Sequence, residues 1–235
     1  EEGNTLFIQS GAKLYFADKA EMQVYGRVEA IGTVEEPVVF RGARTDRMFS
    51  YLPYDRISGQ WGGITLHETS YDNLFVSCDI HSGLYGLRAK GSSMERYKIV
   101  MQDSQIHNVD EDALQLTQCK ASFSNSLFTN AGGHCVNILG GQMTFLHCTM
   151  ANFFPWKNKF TTDLPLKNLG SRSPIFLYNS TISSLVGTLG FVAVQVSLRA
   201  FSAISSIALS YSSFSIPIIC ETFKGIFISC IINWI

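Results

Sequence analysis

The chain has 235 residues and a net charge of −1, with an isoelectric point near 6.6, enough for one substantial domain or one domain with an appendage. Lys and Arg are scattered and form no basic cluster, which excludes a nucleic-acid partner held by a phosphate-binding surface. Because strand-like sequence begins at once after Glu1, the chain is expected to be a fragment or processed product that lacks its targeting signal.

From the start to about Phe154, apolar residues recur at i and i+2. Leu6/Ile8, Leu14/Phe16, Met22/Val24, Val28/Ala30, Val38/Phe40 and Ile64/Leu66 are such pairs, the period of a strand with one buried face. Turn residues such as "SG", "YG", "IGT" and "EEP" separate them, and no stretch sustains an amphipathic helical pattern. The spacing predicts a nearly all-β domain over residues 1–155.

Its architecture follows from a repeat. The segments "SCDIHS", "DSQIHN", "NSLFTN" and "HCTMAN" align Ile80, Ile106, Phe128 and Met150, roughly 22–26 residues apart. Two residues earlier stand Cys78, Ser104, Ser126 and Cys148, a small inward position, and two residues later Ser82, Asn108, Asn130 and Asn152. A second strand follows with Leu87/Ala89, Leu114/Leu116 and Val136/Ile138. One repeat is one coil of a parallel β-solenoid, with side-chain amides stacked at one corner across about 4.8 Å. A leucine-rich repeat would need its own consensus, and a β-sandwich would not need equal spacing of equivalent corners.

Several motifs carry a resemblance to a known family. They are "G-x-L-x-F" around Leu14 and Phe16, "V-Y-G-R-V-x-A-x-G-T" from Val24 to Thr33, "P-V-V-F" from Pro37 to Phe40 and "W-G-G-I" from Trp61 to Ile64. Over residues 5–155 the sequence resembles secreted bacterial right-handed parallel β-helix proteins of the pectin-lyase-like superfamily, many of them lipoproteins or surface proteins of Bacteroidetes. The resemblance implies an all-β, single-stranded right-handed parallel β-helix and an extracytoplasmic location. For function it implies a range from lyases and hydrolases to adhesins, whose enzymes use carboxylates on the outer surface.

Three segments stand out as candidate sites. The insertion between Phe40 and Trp61, "RGARTDRMFSYLPYDRISGQ", is too long for a corner and combines Arg47, Tyr51, Tyr54, Asp55 and Arg56, the chemistry of sugar stacking and hydroxyl hydrogen bonding. Its aromatics are equally suited to covering one face of the helix. His81 and His107 stack on one outer strip; without a third convergent ligand they give no metal site, and no metal or cofactor is expected. Asp110, Glu111 and Asp112 form a corner, and Asp112 is one repeat from His134. That pair reads either as an acid/base couple or as a structural hydrogen bond.

Cys78 and Cys148 read as buried thiols about three coils apart, and Cys119 and Cys135 as neighbours able to approach. No C-x-x-C, phosphate-binding or dinucleotide motif occurs.

Of 18 Lys and Arg and 19 Asp and Glu residues, only Arg172, Arg199, Glu221 and Lys224 lie beyond Leu169. "PIFLYNSTISS" still fits a coil, with Ser180, Ile182 and Ser184 in the small, apolar and corner positions, so residues 156–184 are expected to be a further irregular coil. Residues 185–235 form an apolar, Ser-rich tail that would cap a solenoid poorly. A shifted reading frame, a membrane hairpin or eccentric final coils would each account for it.

The resulting expectation is an exported scaffold that interacts with polysaccharide through the insertion and the strip near His107. Its membrane contact would be limited to a preceding lipid anchor or the tail. The rival is a polysaccharide lyase or glycoside hydrolase using Asp110, Asp112 and His134, with Asp79 and Arg88 as further candidates. A structural adhesin module is the third reading. Oligomeric state is left open.

Overall fold

The computed structural model describes residues 3–151, and beyond them the backbone of strands at 175–189, 195–196 and 207–209. The chain winds as a parallel β-solenoid of about six turns. Coil one is β1 (Thr5–Ile8), β2 (Lys13–Phe16) and β3 (Glu21–Val24); coil two is β4 (Arg27–Ile31), β5 (Val38–Gly42) and, after an insertion holding β6 (Arg47–Phe49) and β7 (Leu52–Pro53), β8 (Gly63–Leu66). Coil three is β9 (Asn73–Val76), β10 (Cys78–His81) and β11 (Leu87–Lys90). Then come β12 (Tyr97–Gln102), β13 (Gln105–Val109), β14 (Leu114–Ser124), β15 (Leu127–Ala131), β16 (Val136–Ala151), β17 (Ile175–Leu189), β18 (Gln195–Val196) and β19 (Ile207–Leu209). The long strands β14, β16 and β17 bend through corners and so belong to more than one face.

Parallel pairing stacks equivalent strands into three faces. The first joins β1, β4, β9 and β12; the second joins β2, β5, β10, β13 and β15; the third joins β3, β8, β11 and the first part of β14. Alternation puts one set of side chains inside every coil. The columns expected from the repeat are real: Ile80 pairs with Ile106, Ile106 with Phe128 and Phe128 with Met150. Leu87/Ala89, Leu114/Leu116 and Val136/Ile138 likewise lie in register. All of these residues are buried, as is the stacked pair Phe123 and Phe145, whose centroids are 4.9 Å apart.

Corners are made by residues in the left-handed region. Ser82, Asn108 and Asn130 have φ of 62°, 53° and 51°, a conformation that Asn tolerates better than most residues. Asn130 Nδ2 donates to Asn108 Oδ1 at 3.2 Å, one rung of the expected ladder; Asn152 lies outside the described residues. A second corner has its own rung, Asn125 Nδ2 to Asp103 Oδ1 at 3.2 Å. Inside, the small column is hydrogen-bonded between coils: Cys78 N–H donates to Ser104 Oγ at 3.0 Å, and Ser104 N–H to Ser126 Oγ at 3.4 Å.

The "W-G-G-I" motif returns the chain to the wall after the insertion. Trp61, 1% exposed, stacks on Phe16 with centroids 4.3 Å apart and donates its Nε1–H to the His81 carbonyl at 2.8 Å. Gly63 has φ of 104°, and a Cβ there would lie 2.4 Å from the Tyr85 carbonyl oxygen. Only glycine satisfies both conditions.

One register differs from expectation. β17 sets Ile182 beside Met143, and Leu189 rather than Ile182 continues the column of Met150. The strand also runs through the boundary expected at 184. The boundary at 155 and most of the tail, including any membrane hairpin, lie outside the described residues. Among the described residues no helix is long and apolar enough to cross a membrane.

Candidate functional site

On β10, Ile80 points into the core, so Asp79 and His81 point outward on the same side. The register places His107 of β13 beside His81, and their rings stack with centroids 5.0 Å apart and planes 15° from parallel. Asp79 Oδ1 lies 3.0 Å from His81 Nδ1 and 3.0 Å from His107 Nε2. The spacing of the two histidines revealed the strip. Its third group, Asp79, was readable too: it is two residues before His81 on the same strand face.

The insertion folds onto this cluster. Asp55, in the 3-10 turn Tyr54–Arg56, accepts from His81 Nε2 at 2.8 Å, and its main-chain carbonyl accepts from Ser82 Oγ at 2.6 Å. Arg41 Nη1 lies 2.7 Å from Asp55 Oδ1. His81 is therefore 5% exposed, with a carboxylate at each ring nitrogen. Burial alone would lower its pKa, but bonding to Asp79 and then Asp55 leaves it raised, favouring the imidazolium. Burial pushes Asp79 upward; the hydrogen bonds from His107 and His81 outweigh it and hold the carboxyl far below the usual carboxylate range. Sequence separation alone gave no sign that Asp55 would meet His81.

The other insertion candidates divide. Arg44, paired with Asp46 at 2.6 Å, lies over the Tyr54 ring at 3.3 Å. Tyr54 faces a cavity of about 310 Å³ that Phe16, Asp18 and Gln60 also line. Arg47 donates to the Ser50 carbonyl within the β6–β7 hairpin, and Arg56 is exposed. Phe49 and Tyr51 stack at 5.6 Å and remain 53% and 72% exposed. The aromatic tip thus faces solvent, while Asp55 and the buried Ile57 make the cover.

Asp112 and His134 do meet across one coil. Asp112 Oδ1 accepts from His134 N–H at 2.8 Å and lies 3.0 Å from Nδ1, while Oδ2 accepts from Asn137 Nδ2 at 2.6 Å. Burial raises the Asp112 pKa, and these bonds, that from His134 first, reverse the shift and lower it. A Cβ at Gly133 would lie 2.3 Å from Asp112 Oδ1, so the corner is built around the carboxylate. Asp110 instead reaches Ser58 Oγ of the insertion at 3.5 Å.

The third face carries a feature that the sequence reading did not identify. Gln23, Thr65, Arg88, Gln115 and Asn137 occupy one register position on successive coils, pointing away from the buried Leu/Ile positions beside them. The first four run along an open groove of about 680 Å³, also lined by Tyr25, His67, Lys90 and Thr117. Tyr25 stacks on His67 with centroids 4.1 Å apart. Arg88 donates to Thr65 Oγ1 at 3.0 Å and lies over the Tyr85 ring at 4.3 Å; its buried Nε has no hydrogen-bond partner. The signal was there as the outward i±1 neighbours of the apolar columns, but aligning only inward residues hides it.

No protein-family model, curated protein or solved structure matches the chain. The four cysteines among the described residues are free and buried. Burial pushes the thiols of Cys78, Cys119 and Cys135 up to about 12, which keeps them protonated and unreactive at neutral pH.

Proposed function

We propose that the chain is the right-handed β-helical part of an exported protein of the pectin-lyase-like kind that binds polysaccharide at the cell surface or in the periplasm. The observation that carries this reading is the groove along the third face. A hydroxyl-rich polymer needs a shallow, extended cleft with amide, hydroxyl and guanidinium partners at regular steps and an aromatic ring nearby. Gln23, Thr65, Arg88 and Gln115 supply one such partner per coil, about 4.8 Å apart, with Tyr25 beside them. The exposed Phe49/Tyr51 pair adds a second stacking surface.

Binding without turnover is favoured over hydrolysis or elimination, because the Asp112 carboxylate already accepts from His134 and Asn137 in holding its corner. The test is incubation of the chain with a glycan panel. Retention without new reducing ends or unsaturated uronate is expected. Product formation would make it an enzyme, and neither retention nor product would favour a structural adhesin.

A further inference from the structure

We propose that Asp79, His81 and His107 form a binding site for one divalent first-row transition ion of the zinc type. Asp79 Oδ1, His81 Nδ1 and His107 Nε2 lie within 4.8 Å of one another. Two imidazoles and a carboxylate form a donor set suited to zinc, and to iron or cobalt, rather than to calcium or magnesium, which take oxygen ligands. Ligand atoms about 2.0–2.2 Å from a tetrahedral ion stand roughly 3.3–3.5 Å apart. The two histidine–aspartate separations are 3.0 Å each and need to open by only a few tenths of an ångström, while the two ring nitrogens, within 4.8 Å of each other, close on the ion as it replaces the hydrogens that now bridge them to Oδ1.

The surroundings match what a bound ion requires of a histidine ligand. Metal-bound imidazoles give their other ring N–H to a carboxylate, which fixes ring orientation and tautomer. Asp55 accepts from His81 Nε2 at 2.8 Å and is itself held by Arg41 at 2.7 Å. The series Arg41, Asp55, His81 therefore aims Nδ1 at the cluster. Packing by the insertion fixes the His81 ring, whereas Asp79 and His107 remain partly open to solvent, giving the ion an entry path and room for water in the remaining position. Three protein ligands and one water is the arrangement of an open rather than a closed structural site.

The test is calorimetric titration of the full chain, freed of metal with a chelator, against zinc(II), with cobalt(II) absorption as a second readout. One equivalent should bind, and cobalt should give the intense visible bands of a low-coordinate site. Asp79→Asn and His107→Gln should each weaken zinc at least about a hundredfold, and Asp55→Ala, one shell out, about ten- to a hundredfold. His134→Gln, at a ring held at the Asp112 corner and outside the cluster, should bind as the unaltered chain does. Should Asp79→Asn fail to fold, His107→Gln, at a partly exposed position, decides with a circular dichroism spectrum as its folding check. Equal binding by the unaltered chain and His107→Gln would overturn the proposal. Loss of binding in His134→Gln instead, or binding of calcium in preference to zinc, would also overturn it.

Discussion

Asp55 and His81 meet at 2.8 Å although 26 residues separate them, and this bond fastens the insertion to the outside of the solenoid. Replacing Asp55 by Ala should leave a buried His81 nitrogen without its partner, at a cost of about 1–2 kcal/mol. The contact with Arg41 adds little to that, because the Asp55 side chain is itself 43% exposed. The denaturation midpoint should fall, and limited proteolysis should cut first between Ala43 and Ser58. An unchanged digestion pattern would mean that Ile57 and Ser82 hold the insertion by themselves.

Gly63→Ala should be among the most damaging small substitutions. Its φ of 104° and the 2.4 Å approach of the Tyr85 carbonyl together should cost at least about 2–3 kcal/mol. Thermal unfolding followed by circular dichroism reads the effect directly.

The asparagine corner separates backbone from side-chain contributions. Asn130→Ala loses the bond to Asn108 and leaves at φ of 51° a side chain without the local hydrogen bonding that lets asparagine tolerate that conformation, for an expected cost of about 1–2 kcal/mol. Asn130→Gly loses the same bond but relieves the backbone, so chemical denaturation should find it the more stable variant.

Asp112 predicts an acid limb. Its folded pKa lies below the ordinary value, so the unfolded chain takes up the proton first. The stabilisation is complete above the unfolded pKa of about 3.9 and is lost as pH falls through the lower folded value. Asp112→Asn should be less stable at neutral pH, and the difference should shrink as pH drops below about 4. Urea midpoints between pH 7 and pH 3, with both proteins compared, test this; a constant difference would contradict it.

Lys98 should behave oppositely to an exposed lysine. Its side chain is buried and donates to the His67 and Glu68 carbonyls, and burial lowers its pKa to about 8. The unfolded chain, with a lysine pKa of about 10.4, holds the proton longer as pH rises. Lys98 therefore contributes more to stability as pH rises from 8 towards 10. Nitrogen-detected NMR titration of its Nζ locates the transition.

The solenoid was legible because one coil repeats the same demands: Ile106 and Phe128 must fill the same interior place, and Asn108 and Asn130 must make the same turn. Ile182 was misregistered because a single apolar residue between serines specifies no unique neighbour. The Asp112–His134 contact could be read from one repeat length, but the bond from Asn137 that completes the corner could not. The His81 cluster was half legible. His107 follows from the repeat, whereas Asp55 arrives through an insertion whose path the period does not constrain.

The most direct test of the proposed function is the affinity of the chain for a polysaccharide retained in the glycan panel, measured with Arg88→Ala and Tyr25→Ala beside the unaltered protein. Each substitution is expected to weaken binding by about tenfold or more, as losing a charged hydrogen bond or a stacking face would. Affinity unchanged in both would place the glycan away from the third face and contradict the groove as its binding site.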